Sequence, residues 1–107
     1  MRKTLIPRGN GWAIPTSKNI IKLLSIDPNS ALLRFKIIDK VLYIKEIMPH
    51  DSDCDKSLIR KFSKVNTSWC LYLPNSIISL LEIIPDKDEI KIEVNDNVLI
   101  VRKALSD

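Results

Sequence analysis

Residues 12–28 read WAIPTSKNIIKLLSIDP, and residues 69–85 read WCLYLPNSIISLLEIIP. The two stretches share one pattern in the same register: a tryptophan, seven other residues and then I-I-x-L-L-x-I-x-P. With the same shift of 57 residues, a D-x-V-L at residues 39–42 falls on another at residues 96–99. Matches at this many spaced positions without a gap indicate an internal duplication. The pattern therefore predicts two copies of one structural unit.

Each copy begins with the signals of two strands. A short apolar and basic segment, at residues 2–6 and again at residues 59–65, predicts the first strand. Turn-forming residues follow at positions 9–11 and 66–68. A second short strand is predicted to start at the tryptophan of each copy.

A helix is predicted after the second strand of each copy, because isoleucines and leucines recur there at helical spacing. We expect all of them in the core, and they are Ile20, Ile21, Leu23, Leu24, Ile77, Ile78, Leu80 and Leu81. Ser17 is predicted to cap the first helix, and either Asn75 or Ser76 the second. Proline-containing stretches at residues 27–30 and 85–88 are predicted to stop the helices.

A hairpin closes each copy. Alternating apolar and charged residues predict a strand on either side of two-residue turns at Asp39-Lys40 and Asp96-Asn97. Each copy is therefore predicted to be a β-β-α-β-β unit, in a chain that is mostly β with two short helices.

The duplication also predicts the domain organisation. We assign residues 1–47 to a first unit, residues 48–57 to an acidic linker and residues 58–107 to a second unit. A unit of roughly 45 residues buries too little surface to be stable alone. The two units are therefore expected to share one core.

The composition is that of a globular protein, since 45% of the 107 residues are hydrophobic and 28% are charged. No apolar run is long enough to span a membrane, and the basic N-terminus lacks the apolar stretch of a signal peptide. We expect a cytoplasmic protein. Cys54 and Cys70 lack the spacing of a zinc site and are expected to be two separate free thiols.

Positive charge is concentrated in the first unit. Residues 1–47 carry nine Lys or Arg against three Asp or Glu, whereas residues 58–107 carry seven of each sign. The linker carries one Lys against three Asp, which gives a formal net charge of +4 for the whole chain. A basic first half suggests a polyanionic partner, of which nucleic acid is the commonest.

At this point the sequence resembles a known family. The stretch GNGWAI at residues 9–14, followed by the Ile/Leu-rich helix and the hairpin, resembles the AbrB/MazE (SpoVT-AbrB) family of DNA-binding transcription factors and antitoxins. The stretch NTSWCLYLP at residues 66–74 is similar to the same motif, and Leu73-Pro74 matches the family's Ile-Pro before the helix.

The resemblance implies a swapped-hairpin β-barrel, which the family forms when two units interlock. The units usually come from two chains, and here one chain supplies both. We therefore expect an intrachain pseudo-dimer, either complete as a monomer or paired again as a homodimer. In the family, the first strand and the loop after it lie along the DNA major groove, and a pair of loops makes the binding face.

The two DNA-facing loops are expected to be unequal. Asn10 occupies the asparagine of the family's Gly-Asn-Ser motif, and Gly11 replaces its serine. The second copy keeps Ser68, but it has Asn66 in place of the glycine and Thr67 in place of the asparagine.

The strand after the first loop also departs from the family. The first copy has Pro15 two residues before the expected proline, and Ser17 stands at the proline's place. The second strand of this copy is therefore expected to be shorter or bent.

The candidate DNA-binding residues are the cations nearest the two loops, together with the polar residues of the loops. They are Arg2, Lys3, Arg8, Asn10, Arg60, Lys61, Lys64, Asn66, Thr67 and Ser68. The cations would hold phosphates, and one or two could read guanine edges; ordinary surface charge is the alternative. Trp12 and Trp69 would serve as base-stacking platforms or as core packing, and we favour packing at a repeated strand position.

No enzymatic function is predicted. His50, the only histidine, lies in the linker beside Asp51, away from any nucleophile of either unit. The sequence has neither a glycine-rich phosphate loop nor a cluster with metal-ligand spacing. We expect no catalytic residue, no metal and no cofactor.

Three functions remain open on the sequence. The leading hypothesis is a nucleoid-associated regulator that binds double-stranded DNA. An antitoxin that neutralises a partner toxin is the second, although only four residues follow the last predicted strand near Lys103, which leaves no tail for such contact. An interaction module without DNA binding is the third, and the neutral second half is compatible with it.

Overall fold

The computed structural model describes residues 2–9, 11–47, 59–65 and 68–104, which form ten strands and two short helices. The first half (residues 1–47) contains β1 (Arg2–Thr4), β2 (Ile6–Arg8), β3 (Gly11–Thr16), α1 (Lys18–Leu24), β4 (Leu33–Ile38) and β5 (Val41–Glu46). The second half (residues 58–107) contains β6 (Ile59–Arg60), β7 (Ser63–Val65), β8 (Ser68–Leu73), α2 (Asn75–Leu80), β9 (Glu89–Asn95) and β10 (Val98–Lys103). Both halves therefore have the same element order.

The strands form two antiparallel sheets, and each sheet contains strands of both halves. A six-stranded sheet has the order β1-β9-β10-β5-β4-β6, and a four-stranded sheet has the order β2-β3-β8-β7. The central pairs, β10 with β5 and β3 with β8, join the halves. At the edges, β1 of the first half pairs with β9 of the second, and β6 of the second half pairs with β4 of the first.

The sheets are open, so the expectation of a closed barrel is wrong for the described residues. The first strand predicted for each copy is instead divided between the two sheets. Leu5 alone separates β1 from β2, and Lys61-Phe62 separates β6 from β7. Leu5 and Phe62 are 4% and 7% exposed, because each turns its side chain into the core where the strand bends. The ladder is interrupted at these corners and does not close a barrel.

The core lies between the two sheets and takes alternate residues from their strands. Phe35, Leu42 and Ile44 from the six-stranded sheet meet Ile14 and Leu71 from the four-stranded sheet in one buried cluster. Such period-2 alternation is what a sheet with one buried face requires. The radius of gyration is 13.1 Å, and neither helix of the described chain has the length and hydropathy to cross a membrane.

The caps of the two helices differ. The Ser17 side chain accepts a hydrogen bond from the Ile20 amide at 3.3 Å, which confirms the predicted cap of α1. The cap of α2 is Pro74, so the prediction of Asn75 or Ser76 is wrong. Pro74 stands 57 residues after Ser17 and offers no side-chain hydrogen bond, but its ring holds φ near the −66° seen there. Ser17 and Pro74 are thus the caps at equivalent positions of the two halves.

Each helix ends before the predicted stop, and a residue with left-handed backbone follows within two positions. Ser25 and Glu82 are equivalent positions, and both have a φ of 56°. This conformation terminates the helical hydrogen-bond pattern without the prolines that follow.

The helices bury only part of their apolar residues. Three positions in each helix region lie in the core, and they are Ile20, Ile21, Leu24, Ile77, Ile78 and Leu81. Leu23 and Leu80 are each 60% exposed, so their predicted place in the core is wrong. In a helix these positions project roughly 60° outside the arc of the other three, and a helix of two turns packs only one side.

The β3 strand of the first half is not shortened by Pro15. It has six residues, as β8 has, although a shorter or bent strand was expected. The pairing of β2 with β3 reaches only Ala13, so β3 has β8 as its paired neighbour at Pro15. A proline is tolerated where one side of a strand has no ladder partner.

The two predicted hairpin turns are confirmed. Asp39 and Lys40 have φ values of 50° and 65°, and Asp96 and Asn97 have values of 51° and 63°. Positive φ at both central residues is the type I′ geometry that suits the twist of a two-residue hairpin. Asparagine tolerates this conformation better than lysine does.

The turn at Lys40 should therefore be the strained one. We expect Lys40→Gly to raise the free energy of unfolding by about 0.5–1 kcal/mol, since glycine removes the left-handed strain but costs chain entropy. Asn97→Gly, the matched change in the other hairpin, should have a smaller effect. Urea denaturation of both variants measures the difference, and an equal or reversed effect would contradict the assignment of strain to Lys40.

Candidate nucleic-acid interface

The fold places the predicted DNA-binding cations on both sheets and on the segment between β6 and β7. Arg2 and Lys3 lie on β1 at one edge of the six-stranded sheet, and Arg60 lies on β6 at the other edge. Arg8 and Lys64 lie near the ends of the β2–β3 and β7–β8 hairpins of the four-stranded sheet. Lys61 is exposed between β6 and β7.

The loop residues are only partly described. Ser68 is exposed at the start of β8, whereas Asn10, Asn66 and Thr67 lie outside the described residues. The linker is also outside them, together with Cys54 and His50.

The two hairpin ends lie at opposite ends of the four-stranded sheet. Arg8 pairs with Gly11 at one end, and Val65 pairs with Ser68 at the other. In the antiparallel register of β3 and β8, Ser68 falls opposite the residue after Thr16. Six residues of strand therefore separate the two ends, which corresponds to about 20 Å.

Lys64 is held by an aromatic side chain. Its ammonium lies 5.5 Å from the centre of the Trp69 ring, a cation–π distance. Trp69 in turn meets the Phe62 ring edge-on, with 6.4 Å between ring centres. Trp12 and Trp69 are both partly buried against the core, which confirms the packing interpretation of the tryptophans.

Arg8 is exposed at the end of β2, an edge strand. Within the described part of the chain its guanidinium forms no ion pair. Gly9 follows with a φ of 57°, a left-handed conformation that glycine adopts without strain. The backbone thus turns sharply directly after the cation.

The edge cations suit a phosphate contact less well. Lys3 and Arg60 are half-buried and pair across the ladder with the core residues Ile90 and Leu33. The Arg60 guanidinium donates a hydrogen bond to the Ile59 carbonyl at 3.3 Å. Part of its donor capacity is therefore used within the fold.

Arg2 lines a cleft of about 680 Å³ at the end of the six-stranded sheet, where sequence reasoning found no site. Its other charged lining residues include Lys40, Glu82, Arg102 and Lys103. Lys40 pairs with Glu82 at 2.9 Å, and Lys103 pairs with Asp88 at 3.4 Å. These cations are far apart in sequence and meet through strand register alone, so no sequence signal marks them.

Asp88 is itself tied to the chain beside this cleft. Its carboxylate accepts a hydrogen bond from the Ile84 amide at 2.8 Å, and this bond, with the nearby Lys103, lowers its pKa. Asp88, the partner of Lys103, is therefore ionised at neutral pH. Among the described residues, His, Cys, Asp and Glu form no group that could hold a metal ion, and Cys70 is a buried free thiol.

The difference between the two loops has a packing cause. A Cβ on Gly11 would lie 2.6 Å from the Tyr72 hydroxyl and 2.9 Å from the Leu73 carbonyl oxygen. The position equivalent to Tyr72 in the first half is Pro15, which has a smaller side chain and lies near Ser68. Gly11 in the first loop thus lies beside the large Tyr72, whereas Ser68 in the second loop lies beside the smaller Pro15.

This packing makes Gly11→Ser, which restores the residue of the resembling family, a destabilising change. We expect it to lower the free energy of unfolding by about 1–3 kcal/mol through overpacking. Tyr72→Ala in the same chain should recover part of that loss, because it removes one of the two clashing groups. A double-mutant cycle by chemical denaturation measures the coupling, and additive effects would contradict this explanation.

A functional assignment for this chain has to be argued from its own residues. No family model, curated protein or solved structure matches the chain.

Proposed function

We propose that the protein binds duplex DNA as a transcriptional regulator of the AbrB/MazE type. Its two halves would act as an intrachain pseudo-dimer with the swapped-hairpin arrangement of that family. The edge pairings support this arrangement, because β1 and β6 each add to the hairpin of the other half. The repeated element order supports it as well.

One observation carries the proposal: an exposed cation lies near each of the two hairpin ends of the four-stranded sheet. Arg8 and Lys64 lie on the outer strands of the four-stranded sheet, whose central pair comes from both halves. Cations near both ends of this sheet match a duplex, whose backbone offers phosphates on both sides of a groove.

The mechanism would begin with electrostatic docking of these cations on phosphates. Asn10, Thr67 and Ser68 in the loops would then contact base edges or further phosphates, since amide and hydroxyl groups can do both. The unequal loops favour a target whose two half-sites differ. Release of counterions from the DNA makes the affinity fall as salt rises.

Selection from a pool of random duplexes at two salt concentrations tests the proposal. We expect enrichment of a patterned site by the unchanged protein and loss of retention in the Arg8→Ala/Lys64→Ala variant. Losing two phosphate contacts should make the slope of log K against log salt shallower by about 1.8.

The matched control is Lys22→Ala/Lys87→Ala, which removes the same charge from exposed residues of α1 and of the loop before β9. The control should bind as the unchanged protein does. No retention at low salt would refute DNA binding, and an equal loss in both variants would move the contact away from the hairpin ends.

A protein-binding role, as an antitoxin or an interaction module, is the second candidate. Leu23 and Leu80 favour it, because they are identical residues at equivalent positions and both are 60% exposed. Most of the other identical positions lie in the core, beside it or in the hairpin turns. An exposed leucine on each helix suits contact with an apolar partner surface.

Variants of the two leucines distinguish the two candidate functions. If protein contact is the function, a partner toxin encoded beside the gene should bind regardless of salt, and Leu23→Ser/Leu80→Ser should abolish that binding. The same double variant should keep its DNA affinity if the hairpin ends bind DNA. Calorimetry with the toxin and fluorescence anisotropy with DNA measure the two outcomes.

A further inference from the structure

The outer face of the six-stranded sheet carries its own charge pattern. The inner face packs in the core, and the alternate residues of each strand face solvent. The halves contribute matched strand pairs to this face, β4–β5 from the first and β9–β10 from the second. The shift of 57 residues relates their outward residues one to one, so the two halves of the face can be compared position by position.

The second half of this face is electrically balanced. Glu93 lies between Lys91 and Arg102, at 3.1 Å from one and 3.3 Å from the other. The hydrogen bond and the positive charge of Lys91 lower the pKa of Glu93, so this carboxylate is ionised at neutral pH. Lys91 and Arg102 therefore share Glu93 as an ion-pair partner.

The first half of the face has a lysine at the position of Glu93. Arg34 and Lys45 stand at the positions of Lys91 and Arg102, and Lys36 stands at the position of Glu93. All three cations are exposed, and Arg34 lies directly opposite Lys45 in the β4–β5 ladder. Like charges opposite each other in a ladder disfavour the sheet. Within the described residues, neither Lys36 nor Lys45 forms an ion pair.

A tyrosine lies inside this group of cations. Tyr43 is half-buried, pairs with Lys36 across the ladder and is two residues from Lys45 on the same strand. Its hydroxyl can donate a hydrogen bond to a phosphate, as tyrosines do in protein–DNA complexes. Next to this group, the outward residues Ile38 and Val41 pair with each other and are apolar.

We propose that Arg34, Lys36, Tyr43 and Lys45, here called the basic face, form a second nucleic-acid surface that binds the phosphate backbone of duplex DNA. Cations on neighbouring rungs of an exposed sheet face suit a continuous polyanion. The face holds three of the nine cations in residues 1–47, so it accounts for much of the charge excess of that half. Its binding is independent of sequence, because its groups address phosphates and not base edges.

If the hairpin ends bind DNA, as in the proposed function, the protein has a DNA-binding surface on each of its two sheets. The face and the hairpin ends belong to different sheets, with the core between them. The molecule measures 40 × 30 × 28 Å, so a straight duplex lying along one layer does not reach the outer face of the other. A protein that used both surfaces would hold two DNA segments together.

The test measures binding of a 20-base-pair mixed-sequence duplex to purified full-length protein by fluorescence anisotropy. Lys36→Gln/Lys45→Gln should weaken binding to the basic face on the order of 50-fold at 0.1 M salt, with a salt slope shallower by about 1.8. Lys22→Gln/Lys87→Gln removes equal charge elsewhere and should leave that binding unchanged.

A variant that gains binding provides a control, because unfolding can cause a loss of binding but not a gain. Glu93→Lys gives the second half the same three cations as the first. It should strengthen duplex binding several-fold, since it adds a cation and releases Lys91 and Arg102 from their shared partner. Thermal unfolding measured on all variants confirms that each is folded.

Bridging is measured with one duplex fixed to beads and a second duplex in solution. The unchanged protein should retain the second duplex, and either Lys36→Gln/Lys45→Gln or Arg8→Ala/Lys64→Ala should prevent this. Loss only in the hairpin variant would overturn the basic face and leave the proposed function intact. Loss of duplex binding only in the basic-face variant would support the inference and refute the hairpin ends as the DNA site. Binding that neither variant weakens, or no binding at all, would overturn both.

Discussion

Antiparallel pairing between the two halves is the interaction on which the rest of the structure depends. The β3–β8 and β5–β10 ladders run through the middle of the two sheets, and β1 and β6 complete the hairpin sheets of the opposite halves. A half on its own would expose both the backbone edge of its central strand and one side of the shared core. The same side chains, among them Phe35 and Leu71, would then lose their packing partners. The duplication therefore stabilises one fold and does not produce two independent domains.

The bend in the first strand of each half controls where the candidate cations lie. Because Leu5 and Phe62 turn into the core, the chain leaves one sheet and enters the other within one or two residues. This bend carries Arg2 to the edge of the six-stranded sheet and Arg8 to a hairpin end of the four-stranded sheet. Cations that are neighbours in the sequence consequently serve different surfaces.

The two halves have kept their packing positions and changed their surfaces. The identical pairs are mostly residues of the core or beside it, such as Trp12 and Trp69, whereas Lys36 and Glu93 occupy one position with opposite charge. The Gly11–Tyr72 and Ser68–Pro15 pairs show a second kind of change, in which glycine stands beside the large residue and serine beside the smaller one. A duplicated chain can make such changes independently in each half, since only the shared core constrains both. This independence is what allows a basic first half beside a neutral second half.

The sequence by itself determined the duplication, the Ser17 cap, both two-residue hairpin turns and the order of strands and helices apart from the division of the first strand of each copy. These depend on local patterns of apolar residues and on backbone preferences of single residues, which act over a few positions. Tertiary structure decided the rest. The open sheets, the exposure of Leu23 and Leu80, and the crowding of Gly11 by Tyr72 follow from which strand lies beside which. The basic face likewise depends on the register that sets Arg34 opposite Lys45, since residues far apart in a chain meet only when the sheet brings them together.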